Sequence, residues 1–164
     1  CALFARAISR MMDEDHRATL AMLGSLARGV HAVPVGQRPD ATFMPLARGV
    51  ARHLTDEIEH HFHFEEHALF PRLAAQGETD MVALLVDEHV AIRATAADAL
   101  PLLLAGAAGS LRHTDFAILR PLALALVEGL GDHIQKEAMG LLPIVDLLLD
   151  DEIDRKLALA YSSV

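Results

Sequence analysis

The sequence predicts an all-α fold: an antiparallel up-down-up-down four-helix bundle with a short C-terminal fifth helix. Alanine and leucine dominate the 164-residue chain, which is 52% apolar and only 4% aromatic and so favours packed helices over β-structure. Four long stretches repeat apolar residues at helical spacing, and glycine- or proline-containing segments separate them. We expect one domain over residues 1–164, with the bundle over about 3–142 and the C-terminal helix over about 146–162.

The first helix is predicted from about Leu3 to Arg28, with Gly29 expected to end it. A proline-containing loop should follow over residues 31–40. The predicted inner face of this helix contains Ile8, Met12, His16, Thr19, Leu23 and Leu26.

The second helix is predicted to begin near Thr42. Pro45 then lies in the first turn, where a missing N–H group costs little. Pro71 should disturb the far end of this helix, since proline removes a backbone donor. Gln76 and Gly77 are expected to form the following turn.

The third helix is predicted to open at Thr79, a residue type that favours helix N-termini. Pro101 is a candidate kink within it. The glycine-rich segment 106–110 should end the helix.

The fourth helix is predicted to open at Thr114 or Asp115. A shorter fifth helix is expected after Pro143, because proline does not continue a helix readily. Asp150 and Asp151 are expected near the start of this fifth helix, where acidic side chains are favourable.

Composition and charge narrow the functional classes. A net charge of −9 argues against nucleic acid as a partner, because it leaves no basic stripe to meet phosphates. The single cysteine, Cys1, excludes an intrachain disulfide and a cysteine-rich metal site. We find no apolar run long and uninterrupted enough to span a bilayer, and the first residues lack the order of a signal peptide. We therefore expect a cytoplasmic protein without a membrane partner, and leave its oligomeric state open.

Two matching motifs point to a metal site. His61 precedes Glu65 by four residues, His133 precedes Glu137 by four, and a proline follows each histidine after ten residues. Positions i and i+4 share one face of a helix, so each motif aims an imidazole and a carboxylate at the same point. Two such helices face to face would offer a ligand set that suits iron, zinc or manganese, with carboxylates able to bridge two ions.

Two further histidines fall in register with these motifs. Residues at one height in a helical hairpin lie equally far from its turn, and the midpoint between His16 and the first motif falls inside the first loop. The corresponding midpoints on either side of His89 are Gln76 and Leu111, which both lie in or beside predicted connections. An antiparallel bundle would therefore bring His16 and His89 level with the two motifs. The alternative is that these buried groups only pair with one another.

The two halves of the chain also resemble copies of one hairpin. The lone histidines precede their motif histidines by 45 and 44 residues. Each lone histidine follows two acidic residues, in the segments 14–16 and 87–89. Two copies at such a long period suggest a duplicated helical hairpin rather than a solenoid.

The sequence resembles the hemerythrin-like, or HHE cation-binding, family. The resemblance rests on the ordered pattern of a lone histidine, H-x-x-x-E, a second lone histidine and a second H-x-x-x-E. It also rests on segment 61–71, which is similar to the family signature H-F-x-x-E-E-x-x-L-F-P. It implies a four-helix bundle around two iron ions joined by an oxo or hydroxo ligand, with manganese or zinc as possible substitutes. The implied bridging ligands are Glu65 and Glu137. The complete implied ligand set is His16, His61, Glu65, His89, His133 and Glu137.

The chain departs from the oxygen-carrying members of this family at two positions. Those carriers have a fifth histidine where this chain has Arg93, and a bridging aspartate where it has Ala138. The carboxylate here is supplied one residue earlier, by Glu137. Four histidines imply a more symmetric and more open site than that of a reversible oxygen carrier.

The other histidines are interpreted as surface residues. His53, His60 and His67 recur every seven residues on a stripe turned by roughly 100° from His61. His63 should point nearly opposite to His61.

Four more polar residues are candidates for a role at the site. Glu57 is either an acceptor or additional ligand at the site or an exposed carboxylate. Tyr161 is expected to pack the C-terminal helix rather than cover the site, and Glu59 and Glu66 are interpreted as surface charges.

Three functions follow from a dimetal reading of the sequence. The first is a non-haem diiron protein that binds or reacts with oxygen, nitric oxide or peroxide and exchanges electrons with a partner. The second is an iron store, donor or sensor without turnover, in which metal occupancy changes stability. The third is a helical interaction domain with a structural metal. Chemical turnover would separate the first function from the others.

Overall fold

A computed structural model describes residues 4–163, and every regular element in that range is helical. Short π-helical turns interrupt two of the four bundle segments without ending them. In chain order the elements are α1 (Ala7–Ala32), α2 (Phe43–Arg52), a π turn (His53–Ile58), α3 (Glu59–Phe64), a π turn (Glu65–Leu69), α4 (Phe70–Ala75), α5 (Thr79–Ala107), α6 (His113–Lys136), a π turn (Glu137–Leu141), α7 (Leu142–Leu148) and α8 (Asp151–Ser162).

The four long segments form the predicted antiparallel bundle. Helix α1 packs against α2 and α6, and α5 packs against the same two helices from the other side. The segments are joined by loops 33–42, 76–78 and 108–112. Such short connections make sequential helices antiparallel neighbours. The all-α bundle with a C-terminal helix is thus confirmed.

The first helix differs from its prediction at both ends. Its predicted start at Leu3 and the single cysteine, Cys1, lie outside the described residues, and the helix begins at Ala7. Gly29 does not end the helix, which continues to Ala32. A Cβ atom at Gly29 would lie 2.2 Å from Cδ2 of Leu46, a side chain of α2. Glycine at this position therefore allows close packing of two helices rather than helix termination.

The fourth bundle segment extends further than predicted. It continues past Pro143 to Leu148, and the C-terminal helix begins at Asp151 rather than near residue 146. Pro143 lies in the first turn of α7, directly after a π turn, where its missing N–H group is tolerated. Pro71 occupies the corresponding position in α4, after the π turn that opens at Glu65. Proline thus marks a change of helix type at both places and not a helix end.

The third bundle segment passes the predicted kink without a break, since α5 runs from Thr79 to Ala107 with Pro101 inside it. By length and composition alone this helix could cross a membrane, with a mean hydropathy of 1.4 over its most apolar window. The expectation that no such run exists is therefore wrong on those two criteria. In the structure, 22% of that window is buried, and α5 packs against α2 and α6.

The C-terminal helix is fixed to the start of α1 by acidic side chains. Asp150 caps α8, accepting from the backbone N–H of Glu152 at 3.0 Å and of Ile153 at 2.8 Å. Asp154 accepts from the backbone N–H groups of Ala7 and Ile8, both at 2.9 Å, and so caps α1 from a different helix. These bonds satisfy donors that a helix N-terminus otherwise leaves unpaired, and they orient α8 across the bundle.

Two apolar clusters lie on either side of one layer of polar residues. The cluster toward the α1–α2 and α5–α6 loops includes Leu26, Val30, Phe43, Leu103, Phe116 and Leu119. The cluster toward the α4–α5 turn and α8 includes Ile8, Met12, Phe70, Leu85, Leu142 and Leu157. The polar layer between them is shielded from water on both sides, which strengthens every electrostatic interaction within it.

Candidate metal centre

All six predicted ligands lie in the polar layer between the two apolar clusters. Each is contributed by a different turn of the bundle, and none exceeds 6% exposure. They are His16 on α1, His61 and Glu65 on the second segment, His89 on α5, and His133 and Glu137 on the fourth segment. The register inferred from the loop midpoints is therefore the register of the folded chain.

The ligand atoms form two groups, each compact enough to surround one ion, with all atoms of a group within 4.8 Å of one another. In the first group, Nε2 of His16 lies 3.2 Å from Nε2 of His61. Glu137 Oε2 lies 3.0 Å from the His16 nitrogen, and Glu65 Oε1 lies 3.2 Å from the His61 nitrogen.

The second group repeats this arrangement with the other two histidines. Nε2 of His89 lies 3.1 Å from Nε2 of His133. Glu65 Oε2 lies 3.3 Å from the His89 nitrogen, and Glu137 Oε1 lies 3.2 Å from the His133 nitrogen. Two ligands ~2.1 Å from one ion and at right angles are ~3.0 Å apart, so both groups have the dimensions of a coordination shell.

Glu65 and Glu137 each belong to both groups. One oxygen of each carboxylate faces the first group and the other oxygen faces the second. A carboxylate in this position can bridge two ions, which is the arrangement found in dimetal helical bundles. The two side chains are therefore placed where the bridging role implied by the resemblance requires them.

The hydrogen bonding of these carboxylates fits a metal site. Within residues 4–163, neither oxygen of Glu65 nor of Glu137 has a hydrogen-bond partner, although all four atoms are buried. Burying an ionised carboxylate without a partner is costly, and a bound cation would remove that cost. The donor set of imidazole nitrogen and carboxylate oxygen suits iron, manganese and zinc.

The charges of the layer are strongly coupled. Burial alone would raise the pKa of Glu137, but the imidazoles of His133, His16 and His61, with ring nitrogens 3.2, 3.0 and 4.0 Å from its oxygens, hold it well below its usual range. Burial would lower the pKa of His61, yet the Glu65 carboxylate and neighbouring acidic groups hold it well above its usual value. The same balance raises the pKa of His133 to about 8. Without a metal, protons therefore compensate the buried carboxylates.

Glu65 and Glu137 each open a π-helical turn, at Glu65–Leu69 and at Glu137–Leu141. π turns commonly occur at functional sites, where they change the direction of the following side chains. The sequence signal for this feature was the proline that follows each motif at the same distance, although we interpreted it as a helix disturbance.

Acidic residues outside the ligand set bind the second nitrogen of two histidines. Glu66 Oε1 lies 2.7 Å from Nδ1 of His89, so the interpretation of Glu66 as a surface charge is wrong. Glu88 Oε2 lies 2.9 Å from Nδ1 of His133. Such acceptors orient a metal-binding imidazole and increase its basicity. Glu88 directly precedes His89, so the repeated acidic pair was the sequence signal for this contact.

Tyr161 reaches the centre from the C-terminal helix. Its hydroxyl group lies 2.8 Å from Nδ1 of His61 and donates a hydrogen bond to Asp15. Burial raises the pKa of Tyr161 above its usual value, which keeps the hydroxyl group protonated. Its ring also packs on Phe64, with centroids 4.7 Å apart. Tyr161 therefore has two structural roles. It packs the C-terminal helix, as expected, and it also covers the site through its contact with His61.

Arg93, which stands where oxygen carriers have a histidine, turns toward two carboxylates. Its guanidinium group lies 3.0 Å from Glu59 and 2.6 Å from Glu66. Glu59 was interpreted as a surface charge, and its side chain is 48% exposed. The role of Arg93 in this structure is to hold the acceptor of His89.

A cavity of about 230 Å³ adjoins the first group. His53 lies beside it, half-buried and 2.9 Å from the hydroxyl oxygen of Thr19, and burial lowers the pKa of His53. His53 is therefore not the solvated residue we expected. Glu57 is exposed and lines the same cavity, which agrees with the simpler of its two interpretations.

The remaining surface histidines behave in two ways. His60 is half-buried and lies 3.1 Å from the carbonyl oxygen of Tyr161, so it is tied to the C-terminal helix. His63 and His67 are exposed, as expected, and stack with ring centroids 4.1 Å apart.

Comparison with known families agrees with this geometry. The hemerythrin HHE cation binding domain family matches residues 7–145, which include all six predicted ligands. No curated protein and no solved structure matches the chain. The family match covers most of the sequence, and the side chains it spans form two buried groups that could each hold a metal ion. The chain therefore belongs to the hemerythrin HHE cation-binding family.

Proposed function

We propose that this chain is a non-haem diiron protein that binds or reacts with a small ligand such as oxygen, nitric oxide or peroxide. The observation that carries the proposal is the division of each carboxylate between two groups, since Glu65 and Glu137 each turn one oxygen to either side. Two adjacent ions with shared carboxylates can bind a small ligand and pass electrons to it.

The residues of the chain supply the binding, the shielding and the access that this function needs. The four histidines and two glutamates would hold the ions, with Glu65 and Glu137 as the bridges. The apolar clusters exclude water on both sides of the layer. The cavity beside His16 and His61 offers a small molecule a path to one side of the centre. An electron-transfer partner would restore the centre after each reaction.

Iron content and an optical spectrum test this proposal directly. Protein purified after iron-replete expression should contain close to two irons per chain, and the diferric form should absorb in the near ultraviolet. The double substitution His61→Ala with Glu137→Ala should remove most of this iron, since it deletes one bridge and one histidine of the first group. Less than half a metal per chain in the unsubstituted protein would refute the proposal.

A second function, an iron sensor or store without turnover, is favoured by the contact between Tyr161 and His61. Because this contact joins the C-terminal helix to a predicted ligand, metal occupancy would stabilise the docking of α8. Hydrogen exchange of residues 151–162 should then slow on metal binding. Protection of α8 without any reaction of the reduced protein with oxygen, nitric oxide or peroxide would favour this second function over the first.

A further inference from the structure

The two groups have equivalent ligands but different surroundings. In the second group, both histidines have an anionic acceptor at Nδ1. Glu66 lies 2.7 Å from His89, and Glu88 lies 2.9 Å from His133. Each acceptor is itself held by a cation, since Arg93 binds Glu66 and Lys136 binds Glu88. The second group is therefore fixed by two complete hydrogen-bonded pairs.

The first group has weaker support. The acceptor of His61 is the neutral hydroxyl group of Tyr161, at 2.8 Å, which itself donates a hydrogen bond to Asp15. Nδ1 of His16 is buried, and no partner for it exists among residues 4–163. With a metal bound at Nε2, Nδ1 of His16 would carry the ring hydrogen and would be left without an acceptor.

The sequence explains this difference. The second motif follows the first by 72 residues, and the two π turns keep that offset. Glu66, the residue after the first bridging glutamate, therefore corresponds to Ala138, and both positions are half-buried. The lone histidines are offset by 73 residues, so Arg93 corresponds to Leu20, which is 45% exposed. The pair that supports His89 is thus replaced by two uncharged residues on the His16 side.

Solvent access differs in the same direction. The cavity beside the centre is lined by both histidines of the first group, His16 and His61, by His133 of the second group, and by Glu137, which both groups share. Glu65 and His89 do not line it. Three of the four ligands of the first group therefore border the cavity, against two of the four in the second, so an ion in the first group would be the more accessible to water and small ligands.

We propose that the two metal positions are inequivalent, and that the position between His16 and His61 is the weaker and exchangeable one. The inference rests on the proposed dimetal function and assigns different roles to its two halves. An acceptor at Nδ1 fixes the imidazole ring and strengthens its bond to a metal, and its loss commonly reduces metal affinity ~10- to 100-fold. The second position retains its ion, whereas the first takes up and releases an ion as its concentration changes.

Titration of the metal-free protein with Co²⁺ tests the inequivalence. Calorimetry at pH 7.5, with a competing chelator for the tighter step, should show two binding steps that differ ~10- to 100-fold in Kd. Glu66→Ala should weaken the tighter step by a similar factor and leave the weaker step unchanged. Glu66→Gln, which keeps an acceptor oxygen, should fall between the two proteins.

The reverse substitution provides the matched experiment. The double variant Leu20→Arg with Ala138→Glu copies the Arg93–Glu66 pair to the His16 side. It should tighten the weaker step ~10-fold or more, so that the two steps approach each other. Leu20→Arg alone adds a charge without an acceptor and should leave both steps unchanged. Circular dichroism of each variant establishes that the bundle is folded.

The outcomes separate this inference from the proposed function. Two equal steps, or a weaker step that responds to Glu66→Ala, would overturn the inequivalence while leaving the dimetal function intact. Binding of fewer than two ions by the folded, unsubstituted protein would overturn both. A double variant whose weaker step does not change would show that the acceptor of His16 is not what limits that position.

Discussion

Glu88 and His133, 45 residues apart in sequence, are joined by a hydrogen bond of 2.9 Å between carboxylate and Nδ1. This contact links the acidic residue before one lone histidine to the motif histidine of the next helix. Both side chains are largely buried, since Glu88 is 19% and His133 is 1% exposed. A contact of this kind fixes the orientation of the His133 ring, although Glu88 is not itself a predicted metal ligand.

Replacing Glu88 should weaken metal binding without disrupting the bundle. Glu88→Ala removes the acceptor of His133, and we expect the affinity for the tighter ion to fall ~10- to 100-fold, measured by chelator competition. Asp87→Ala is the matched control, because Asp87 is the exposed neighbouring acid on the same helix. Equal losses in the two variants would point to general electrostatics rather than to the hydrogen bond.

Replacing Tyr161 should separate its two roles. Tyr161→Phe keeps the ring against Phe64 but removes the acceptor of His61, so metal affinity should fall while metal-free stability changes little. Tyr161→Ala also removes the packing, and should cost ~3 to 5 kcal/mol of unfolding free energy, as other large buried aromatic truncations do. Urea denaturation with and without metal measures both effects. A metal-bound Tyr161→Phe protein as stable as the unsubstituted one would contradict the proposed role of the hydroxyl group.

Gly29 should tolerate substitution poorly although it lies within a helix. In Gly29→Ala the new Cβ would lie 2.2 Å from Leu46, so the helices or that side chain must move, at a cost of ~1 to 3 kcal/mol. Gly49→Ala is the control, because no atom lies within 4 Å of a Cβ there, and it should stabilise the protein by ~0.5 to 1 kcal/mol. Thermal denaturation compares the two. Truncating Leu46 to Ala should relieve the clash in a double variant with Gly29→Ala.

The stability of the metal-free protein should depend on pH in a specific direction. The pKa of His133 is about 8 in the folded protein, above its value of about 6.5 when unfolded. Its contribution, ~2 kcal/mol, is therefore fully present below about pH 6.5 and is lost as pH rises through about 8. The pKa of Glu137 is lowered instead, so its contribution is lost as pH falls below its usual value. Metal-free protein should be most stable between these limits.

Metal binding should oppose the loss of stability that the metal-free protein shows as pH rises through about 8. Ligating histidines must be neutral, so protons compete with the metal less as pH rises, and the stability gained from metal should grow from pH 6.5 to 8.5. Urea denaturation across this range, with metal and with chelator, gives the two curves. Parallel curves would indicate that the metal does not bind through these histidines.

The grouping of the six candidate ligands could be predicted from sequence because it follows helix geometry. His61 and Glu65 share a face by spacing alone, and the loop midpoints placed His16 and His89 at the same level. Each relation depends only on the rise and turn of a helix and on short connections. The helix rise, the helix turn and the short connections are local properties of the chain, and the folded chain keeps them closely enough for the six candidate ligands to meet in one layer.

The supporting contacts were harder to predict because they join side chains across different helices. Glu66 looked like a surface charge because it neighbours Glu65 in sequence, but it reaches His89 on another helix. Tyr161 meets His61 only because Asp154 caps α1 and thereby orients the C-terminal helix. The prediction that Gly29 ends α1 is wrong because glycine occurs both at helix ends and at close helix contacts, and only the position of Leu46 distinguishes the two.

The π turns at Glu65 and Glu137 have a consequence for how the chain tolerates insertions and deletions. Each α-helical residue advances the face by ~100°, and a π turn accommodates additional residues within one turn. Residues before each bridging glutamate can therefore keep the register that the ligands require, while residues after it follow the register of the cluster around Phe70 and Leu142. Deleting one residue after the glutamate in either turn would rotate the following helix, and its apolar side chains, relative to the candidate ligands. All six candidate ligands would remain in the chain, but the apolar cluster around Phe70 and Leu142 could no longer pack while those ligands face one another.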